Sequence, residues 1–546
     1  MAREILTHER FFDVASRFAD RPFVGTPPSP ERIWEPAGLE YTYAQGAARI
    51  GELARIYRDA GIGHGHRVAT EIENHPDYFL HKLALCTLGA SIVPLNPDLK
   101  RPELAWALEL TQPELVLVMP HLRAAVEAGA AELGNHAPHL VDFGAFDRGL
   151  PNVRHKAPES GAPGLDTETL VLFTSGTTGR SKGCRYSHDY EIALGDWYAS
   201  MGGMAELRPG LECVYNPLPV YHSDCGIRAF HEMMPIGGAT FTSDRFRPTR
   251  FWDDVRASKA TVIHYLGIVT TFLMAQPELP SDREHLVRFA LGAGVEPGRQ
   301  DYFEKRFGFP LLEMWGMTEC MRVLCDCVPP RTLGKRAVGR PRPGLDVKLV
   351  DENDQEVPVG TQGEMCIRHS AATPRKGVFS GYINDPAATE HAWRGGWFHT
   401  GDTLRQDDSG CLYFVDRKKN IIRRSGENIA AVEVEGILGR HPRVAQCAVI
   451  AVADELREEE VFACVVPVAS EGTSEAERAA LVESLLAFGS ESLAYHKLPG
   501  WLLFMEDIPK TPSQKMMKYA IFPADVDPRT LPGVLDLRDR KKRNRA

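Results

Sequence analysis

One short stretch in the first third of the chain has the make-up of an anion cradle. LVLFTSGTTGRSKG (170–183) is an apolar run that passes into a loop of glycines and hydroxyls closed by a lysine. Glycines let successive backbone N–H groups turn inward around an anion. Thr174, Ser175, Thr177 and Thr178 add neutral donors, Gly176 and Gly179 supply the freedom, and Lys182 brings positive charge. Such a loop suits a polyphosphate. It lacks the Gly-Lys-Ser/Thr ending of a Walker A loop, since Ser181 precedes the lysine and Gly183 follows it, and it lacks the GxGxxG spacing of a dinucleotide turn. Taken alone, the composition leaves a polar surface loop as the other reading.

The surrounding chain must hold that loop in place. Before it, 51–60 and 78–88 read as helices and 67–72 and 90–95 as strands. The apolar stretch 83–95 is too short to span a bilayer and reads as a helix running into a buried strand. Residues 151–166, rich in Pro, Gly and charge, read as a linker or surface loop. Alternation resumes from 170 to about residue 300, which implies a mostly parallel, helix-covered sheet. Between about 337 and 415, short runs such as LDVKLV and GEMCIR predict a small β unit. After about 417, AVEVEGILGRHPRV predicts a helix and AQCAVIAVAD and VFACVVPV predict strands of a unit large enough to fold separately.

Composition narrows the function classes. The chain has 546 residues, enough for several domain-sized units, and its 43% hydrophobic and 25% charged residues are ordinary for a globular protein. Sixty-three Lys and Arg against 73 Asp and Glu give a net charge of −10, which argues against a basic nucleic-acid binder. The eleven scattered cysteines fit reduced, buried thiols better than a disulfide framework. Cys320, Cys325 and Cys327 form the tightest group, but no second cluster completes a zinc shell. The N-terminal MAREILTHERFFDVASRF has no apolar signal core, and a cytoplasmic location is expected. The basic residues 538–546 are expected to form a solvated tail, and Arg228 and Arg322 to lie at the surface unless one meets a polar group of a ligand.

The loop closely resembles the phosphate-binding signature of the adenylate-forming superfamily, which includes acyl-CoA synthetases, aryl-CoA ligases, peptide-synthetase adenylation domains and beetle luciferases. Five further segments follow in that superfamily's order: NPLPVYHSDC (216–225), LGAGVEPG (291–298), WGMTE (315–319), HTGD (399–402) with VDRKKNIIRRSGENIAAVEVE (415–435), and PKTPSQKMMK (509–518). The segment IIRRSGENIAAVEVE (421–435) and the HSDC variant resemble a bacterial branch of acyl-CoA ligases that includes carnitine/crotonobetaine-CoA ligase. Ser181 replaces the usual proline, Trp315 the usual tyrosine and Gln514 the usual glycine.

The resemblance implies an α/β fold. It consists of a large N-terminal adenylation domain (1–416) of two helix-covered sheets plus a small β-barrel-like unit, and a small, mobile α+β C-terminal domain (417–546). It implies an ATP-dependent acid–CoA ligase that releases AMP and pyrophosphate, with ATP, Mg²⁺ and coenzyme A as its reactants and cofactor. Lys515, His222 and Thr318 carry over as catalytic residues. Thr174, Ser175, Gly176, Thr177, Thr178, Gly179, Lys182, Gly294, Val295, Glu296, Trp315, Asp402 and Arg417 carry over as the ATP site, and Glu319 as the metal ligand. Lys419 takes the hinge position, and Arg423, Ser425 and Gly426 face coenzyme A. His222, Tyr265, Gly267, Gly292, Met314, Gly316 and Met317 are expected to line the pocket for a short, cyclic or aromatic acid. Expected partners are that acid and coenzyme A, with a homodimer as the assembly and neither nucleic acid nor a membrane span. Acylation of a separate carrier protein and a non-catalytic nucleotide-binding role are the alternatives. A luciferase-like oxygenase shares the adenylation motifs.

Overall fold

The computed structural model describes residues 5–153, 156–174, 181–295, 299–351, 353–417, 421–468, 474–509, 518, 521–523 and 526–541. The expected alternation of strands and helices produces two large sheets. In the first, Glu168–Thr174, Ser91–Pro94, Arg67–Glu71, Leu115–Val118 and His139–Asp142 run parallel, with Lys182–Ser187 and Gly381–Tyr382 added antiparallel at one edge. In the second, Leu311–Met317, Phe289–Ala293, Val262–Leu266, Cys213–Asn216, Ala239–Thr242 and Pro22–Thr26 run parallel. Cys320–Cys325 and Leu39–Thr42 close its two edges antiparallel. Strands such as Leu115–Val118 are apolar at every position and buried at every position, as strands covered on both faces must be.

The apolar run 83–95 resolves as expected. Asp77–Thr87 is a helix buried from Tyr78 through Cys86, and Ser91–Pro94 is a buried strand. The helix is buried on all sides, His81 and Lys82 included, and one continuous hydrophobic cluster joins its apolar residues to those of both sheets. Parallel strands place all their C-terminal ends on one side, the side where open α/β sheets bind ligands. Asn216, Leu266, Ala293 and Met317 end their strands there.

The small β unit is a five-stranded antiparallel sheet of Ala337–Gly339, Leu412–Arg417, Phe398–Gln406, Gln362–Arg368 and Asp346–Val350. The last sheet runs from Ile421–Arg424 and Glu427–Ala430 through Val444–Asp454 and Glu458–Pro467 to Trp501–Phe504 and Leu535–Asp536. It has its own hydrophobic core, built with helices Ala431–Leu438 and Glu475–Ser490. The fold is therefore mixed α/β, with a large N-terminal domain of sheets and helices and a smaller C-terminal one. The first of those two helices is shorter than its sequence suggests, because Gly439 and Pro442 follow its last residue.

Two surface expectations are corrected. Arg228 is fully buried on Asp224, and Arg322 is 5% exposed and donates to the Gly344 carbonyl. The basic tail is docked through residue 541, where the buried Lys541 ammonium meets Glu460 at 2.6 Å and Arg538 pairs with Asp454. For Arg228, Arg538 and Lys541 a carboxylate in the fold supplies the partner, and for Arg322 a backbone carbonyl does; local sequence reveals neither. None of the eleven cysteines forms a disulfide. Among the described residues the buried trio with metal-ligand spacing, Cys86, His188 and Glu191, already holds a cation, since the Lys82 ammonium sits 2.5 Å from Glu191. Among the described residues no helix is long and apolar enough to cross a membrane.

Candidate functional site

The strand ends, the small β sheet and the last sheet enclose a cavity of about 620 Å³. Thr174, Lys182, His222, Thr318, Glu319 and Asp402 all reach it, although they are drawn from positions more than two hundred residues apart. Thr174 ends a strand whose register pairs it with Lys182 on the returning strand. The Lys182 ammonium lies 4.6 Å from the centre of the Tyr382 ring and 3.9 Å from Asp385.

The turn carrying Thr318 and Glu319 is fixed by phenols. Tyr186 donates to the Thr318 carbonyl at 2.8 Å, and the Met321 N–H donates to the Tyr190 hydroxyl at 3.0 Å. Both tyrosines are buried, so these bonds hold the turn without bringing a charge to it. Glu319 is 7% exposed, and its Oε1 accepts a 2.7 Å bond from the Tyr382 hydroxyl. A buried carboxylate beside threonine hydroxyls is a hard oxygen donor set of the kind Mg²⁺ prefers, so these residues fit that ion.

A second cavity of about 330 Å³ adjoins the first and shares Met314, Gly316, Asp402 and Arg423 with it. Gly267, Gly294 and Trp315 line it. The Trp315 indole N–H donates to Asp402 Oδ2 at 2.8 Å, tying the aromatic wall to the carboxylate. The backbone N–H groups of Gly294 and Val295 donate to Glu313, as does the Tyr265 hydroxyl. Burial raises the Glu313 carboxyl to about 7. Glu313 was missed in the sequence; its one signal is a charge inside the apolar strand LLEMWGM.

One end of the large cavity is built on 216–228. His222 lines the wall and lies 3.3 Å from Glu427, which the hairpin Ile421–Arg424/Glu427–Ala430 brings in from the C-terminal domain. Burial alone would lower the His222 pKa, but the Glu427 charge and hydrogen bond, with the Asp224 charge, together outweigh it and the pKa rises. Burial likewise pushes Glu427 up, yet His222, His496 and Lys497 together hold it below the usual carboxylate range. The hairpin loop is Ser425-Gly426, both at positive φ as a tight two-residue turn requires. A Cβ on Gly426 would also meet Leu266 at 2.6 Å, so the tip can seat against the strand end only as glycine.

Of the expected pocket residues, His222, Met314, Gly316 and Met317 line the large cavity and Gly267 the adjoining one. Tyr265 and Gly292 line neither. Side chains alternate along a strand, and Leu266 takes the cavity face, so Tyr265 points into the core. A Cβ on Gly292 would meet the Tyr265 carbonyl at 2.1 Å, so that position serves strand packing. Arg423 and Gly426 reach the large cavity, whereas Ser425 turns toward Arg457. Val295 is buried. Ser175, Gly176, Thr177, Thr178, Gly179, Glu296, Lys419 and Lys515, and the side chain of Arg417, lie outside the described residues. Glu458, at positive φ, was also missed: it lines both cavities, accepts the Ile268 N–H, and is raised to about 7 by burial.

A third cavity of about 490 Å³ runs along the seam between the two domains. His222, Thr318 and Glu427 lie along it together with Arg440 and Lys497. Lys497 is clamped between Glu103 (2.6 Å) and Glu433 (2.8 Å), one carboxylate from each side of the seam.

Known proteins share this fold. Residues 11–383 match the model of the AMP-binding enzyme family, and 433–515 match its C-terminal domain. A crotonobetaine/carnitine–CoA ligase of Citrobacter koseri is 31% identical over 493 residues, covering 88% of this chain and 92% of its own. An o-succinylbenzoate CoA synthetase from Bacillus subtilis, solved with a product analogue bound, superposes with a TM-score of 0.77 at 21% identity, covering 94% of this chain and 98% of its own. An amide bond synthetase from Marinactinospora thermotolerans gives 0.75 at 26% identity, with the same coverage. With a family model spanning most of its length, the chain belongs to the AMP-binding enzymes.

Proposed function

We propose that the large cavity activates a small carboxylic acid and that the seam cavity brings coenzyme A to it. The chemistry is AMP-forming acid–thiol ligation. The observation that carries this reading is the convergence of Thr174, Lys182, His222, Thr318, Glu319 and Asp402 on one cavity. A free carboxylate is a poor electrophile, because its leaving group would be oxide. When a carboxylate oxygen attacks the α-phosphorus of ATP, the bond to pyrophosphate breaks and the acyl group gains AMP as leaving group. A thiol sulfur then attacks the acyl carbon, AMP departs, and the thiol proton is lost.

Lys182 and the 174–183 loop hold the β- and γ-phosphates, and Thr318 donates to the α-phosphate. Trp315 offers the adenine an aromatic face beside Gly294, and Asp402 with Arg417 receives the ribose. Glu319 is the residue to hold Mg²⁺, which when bound spreads charge from the phosphates. His222 positions the acid and does not shuttle its proton, since a carboxylate is already ionised near neutral pH. Lys515 bridges carboxylate and phosphate, which otherwise repel. The seam cavity reaches His222 and Thr318 from outside, which suits the long thiol arm of coenzyme A, and Arg440 lies along it for a phosphate.

The hairpin that faces the cavity in this structure and the lysine segment 509–518 must take turns, so the reading includes a rotation of the domain beginning at 417 about Lys419. Lys419→Pro is expected to spare pyrophosphate release and to stop thioester formation; normal thioester formation would remove the hinge. The central test is a screen of short, cyclic and aromatic acids for acid-dependent pyrophosphate release, with and without coenzyme A. AMP and acyl-CoA are the expected products, and ADP formation would overturn the reading.

A further inference from the structure

The wall segment after His222 holds a charged pair that the reaction does not use. Residues Asp224–Ala229 form a π-helical turn, a rare backbone form that tends to mark functional sites. It places Asp224 on the wall of the large cavity, with 12% of its side chain exposed. Behind it, fully buried, lies Arg228, whose Nη2 is 2.5 Å and Nε 3.2 Å from Asp224 Oδ1. The Asn216 amide adds a 3.3 Å bond to the same oxygen. That amide is oriented by its own oxygen, which accepts the Leu218 N–H, and its Nδ2 lies 2.9 Å from His264 Nδ1, which is itself 3.3 Å from Asp224 Oδ1. The other His264 nitrogen, Nε2, is 2.6 Å from Glu232. Every one of these donors approaches Oδ1, so a side chain engaged from behind presents Oδ2 to the cavity.

Beside it the wall carries the apolar Leu218, Leu266, Met314 and Met321, with His222 and Ser223 as its polar neighbours. Burial would raise the Asp224 pKa, but Arg228 holds it at about 2, so the group is an acceptor at any working pH. The pair is neutral overall and does not repel an incoming carboxylate as a lone aspartate would. Arg228 is also fixed on its other side, donating to the Leu291 carbonyl and contacting Met314 Sδ. The acceptor is therefore held rigidly and cannot swing away from an apolar ligand.

We propose that Asp224 is a specificity-determining residue and that the acid turned over here carries a hydrogen-bond donor, a hydroxyl or an ammonium, which Oδ2 receives. This rests on the ligase reading above. An apolar acid of the same shape would leave a buried carboxylate oxygen without water or partner, the situation in which binding sites discriminate most strongly.

The test pairs each donor-bearing acid with its plain counterpart. Benzoate is compared with its 2-, 3- and 4-hydroxy and 3- and 4-amino derivatives, and butyrate with its 3-hydroxy, 4-hydroxy and 4-amino derivatives. Acid-dependent pyrophosphate release is followed. In at least one series the best donor-bearing acid should exceed the plain acid in kcat/KM by on the order of 10²-fold or more. The hydroxy and amino arms separate hydroxyl from ammonium. In the double variant Asp224→Leu/Arg228→Met, which removes the pair without stranding a charge, the preference should reverse toward the plain acid. Equal turnover of plain and donor-bearing acids by the unaltered enzyme, within about threefold in both series, overturns the inference and leaves the ligase reading intact; this holds even if the double variant fails to fold. No pyrophosphate release with any acid overturns the ligase reading and this inference with it.

Discussion

The two ends of the large cavity are built by opposite means. At the end that carries Lys182, Thr174, Glu319 and Asp402 come from distant parts of the chain, and neutral groups meet the turn and its carboxylates: Tyr186 donates to the Thr318 carbonyl, Tyr190 accepts from the Met321 N–H, Tyr382 donates to Glu319 and Trp315 to Asp402. At the His222 end, the single segment 216–228 carries both the wall anion and the guanidinium that meets it four residues on, and Glu427 enters from the C-terminal domain. A site for polyphosphate, as proposed for the first end, would gain by holding its carboxylates with phenols and an indole, because its cations then remain for the ligand. A site for a carboxylate, as proposed for the second, would gain by cancelling its own charge in advance. The same side chain, a carboxylate on a cavity wall, thus serves two purposes according to what stands behind it.

Substitutions can break or sharpen that contrast. The largest effect is expected from Lys515→Ala, which removes the lysine proposed to bridge carboxylate and phosphate. Adenylation should fall on the order of 10²–10³-fold, while thioester formation from supplied acyl-AMP continues. Equal loss in both half-reactions, measured separately, would refute that role. Trp315→Phe keeps an aromatic face but deletes the indole donor to Asp402. A hydrogen bond to a charged group is worth roughly 1.5–3 kcal/mol, so the KM for ATP should rise about tenfold or more with the acid's KM unchanged. A change confined to the acid would place Trp315 at the wrong end. Tyr382→Phe takes a neutral donor from Glu319 and should shift the Mg²⁺ dependence of pyrophosphate release by about tenfold, since this too is a bond to a carboxylate, worth roughly 1.5 kcal/mol at the lower end.

The smallest effect concerns pH. Docking of the hairpin raises the His222 pKa above its ordinary value of 6.5, while Glu427 stays ionised. A raised pKa means that the contact contributes fully below that value and loses its contribution as pH climbs through the raised one. Hydrogen-exchange protection of 421–430, corrected for intrinsic rates, should therefore fall a few-fold from about pH 6 to about pH 9, and His222→Gln should flatten the trend. Protection that rises with pH would contradict the pairing.

Much of this was legible in the sequence, and the reasons for the misses are specific. Strands such as Leu115–Val118 announce themselves because burial on both faces forces an unbroken apolar run. The phosphate loop and the Thr318-Glu319 pair are visible because their chemistry needs particular residue types close together. Tyr265 was misplaced although strand alternation could have excluded it once Leu266 was put on the cavity side. Glu427 and Glu458 were invisible as site residues because they enter from another domain, and the packing of one domain on another leaves no local pattern. Arg228 and Lys541 read as surface cations because a buried ion pair is defined by its partner, and the partner is chosen by the fold.

The clamp on Lys497 has a consequence for tempo. Its ammonium is shared by Glu103 on one side of the seam and Glu433 on the other. If the smaller domain swings in each cycle, the stroke must strip this lysine of one carboxylate and let water in to both, then expel that water on the way back. The pace of the enzyme would then be set partly at this joint, and heat would quicken it there more than a better acid could.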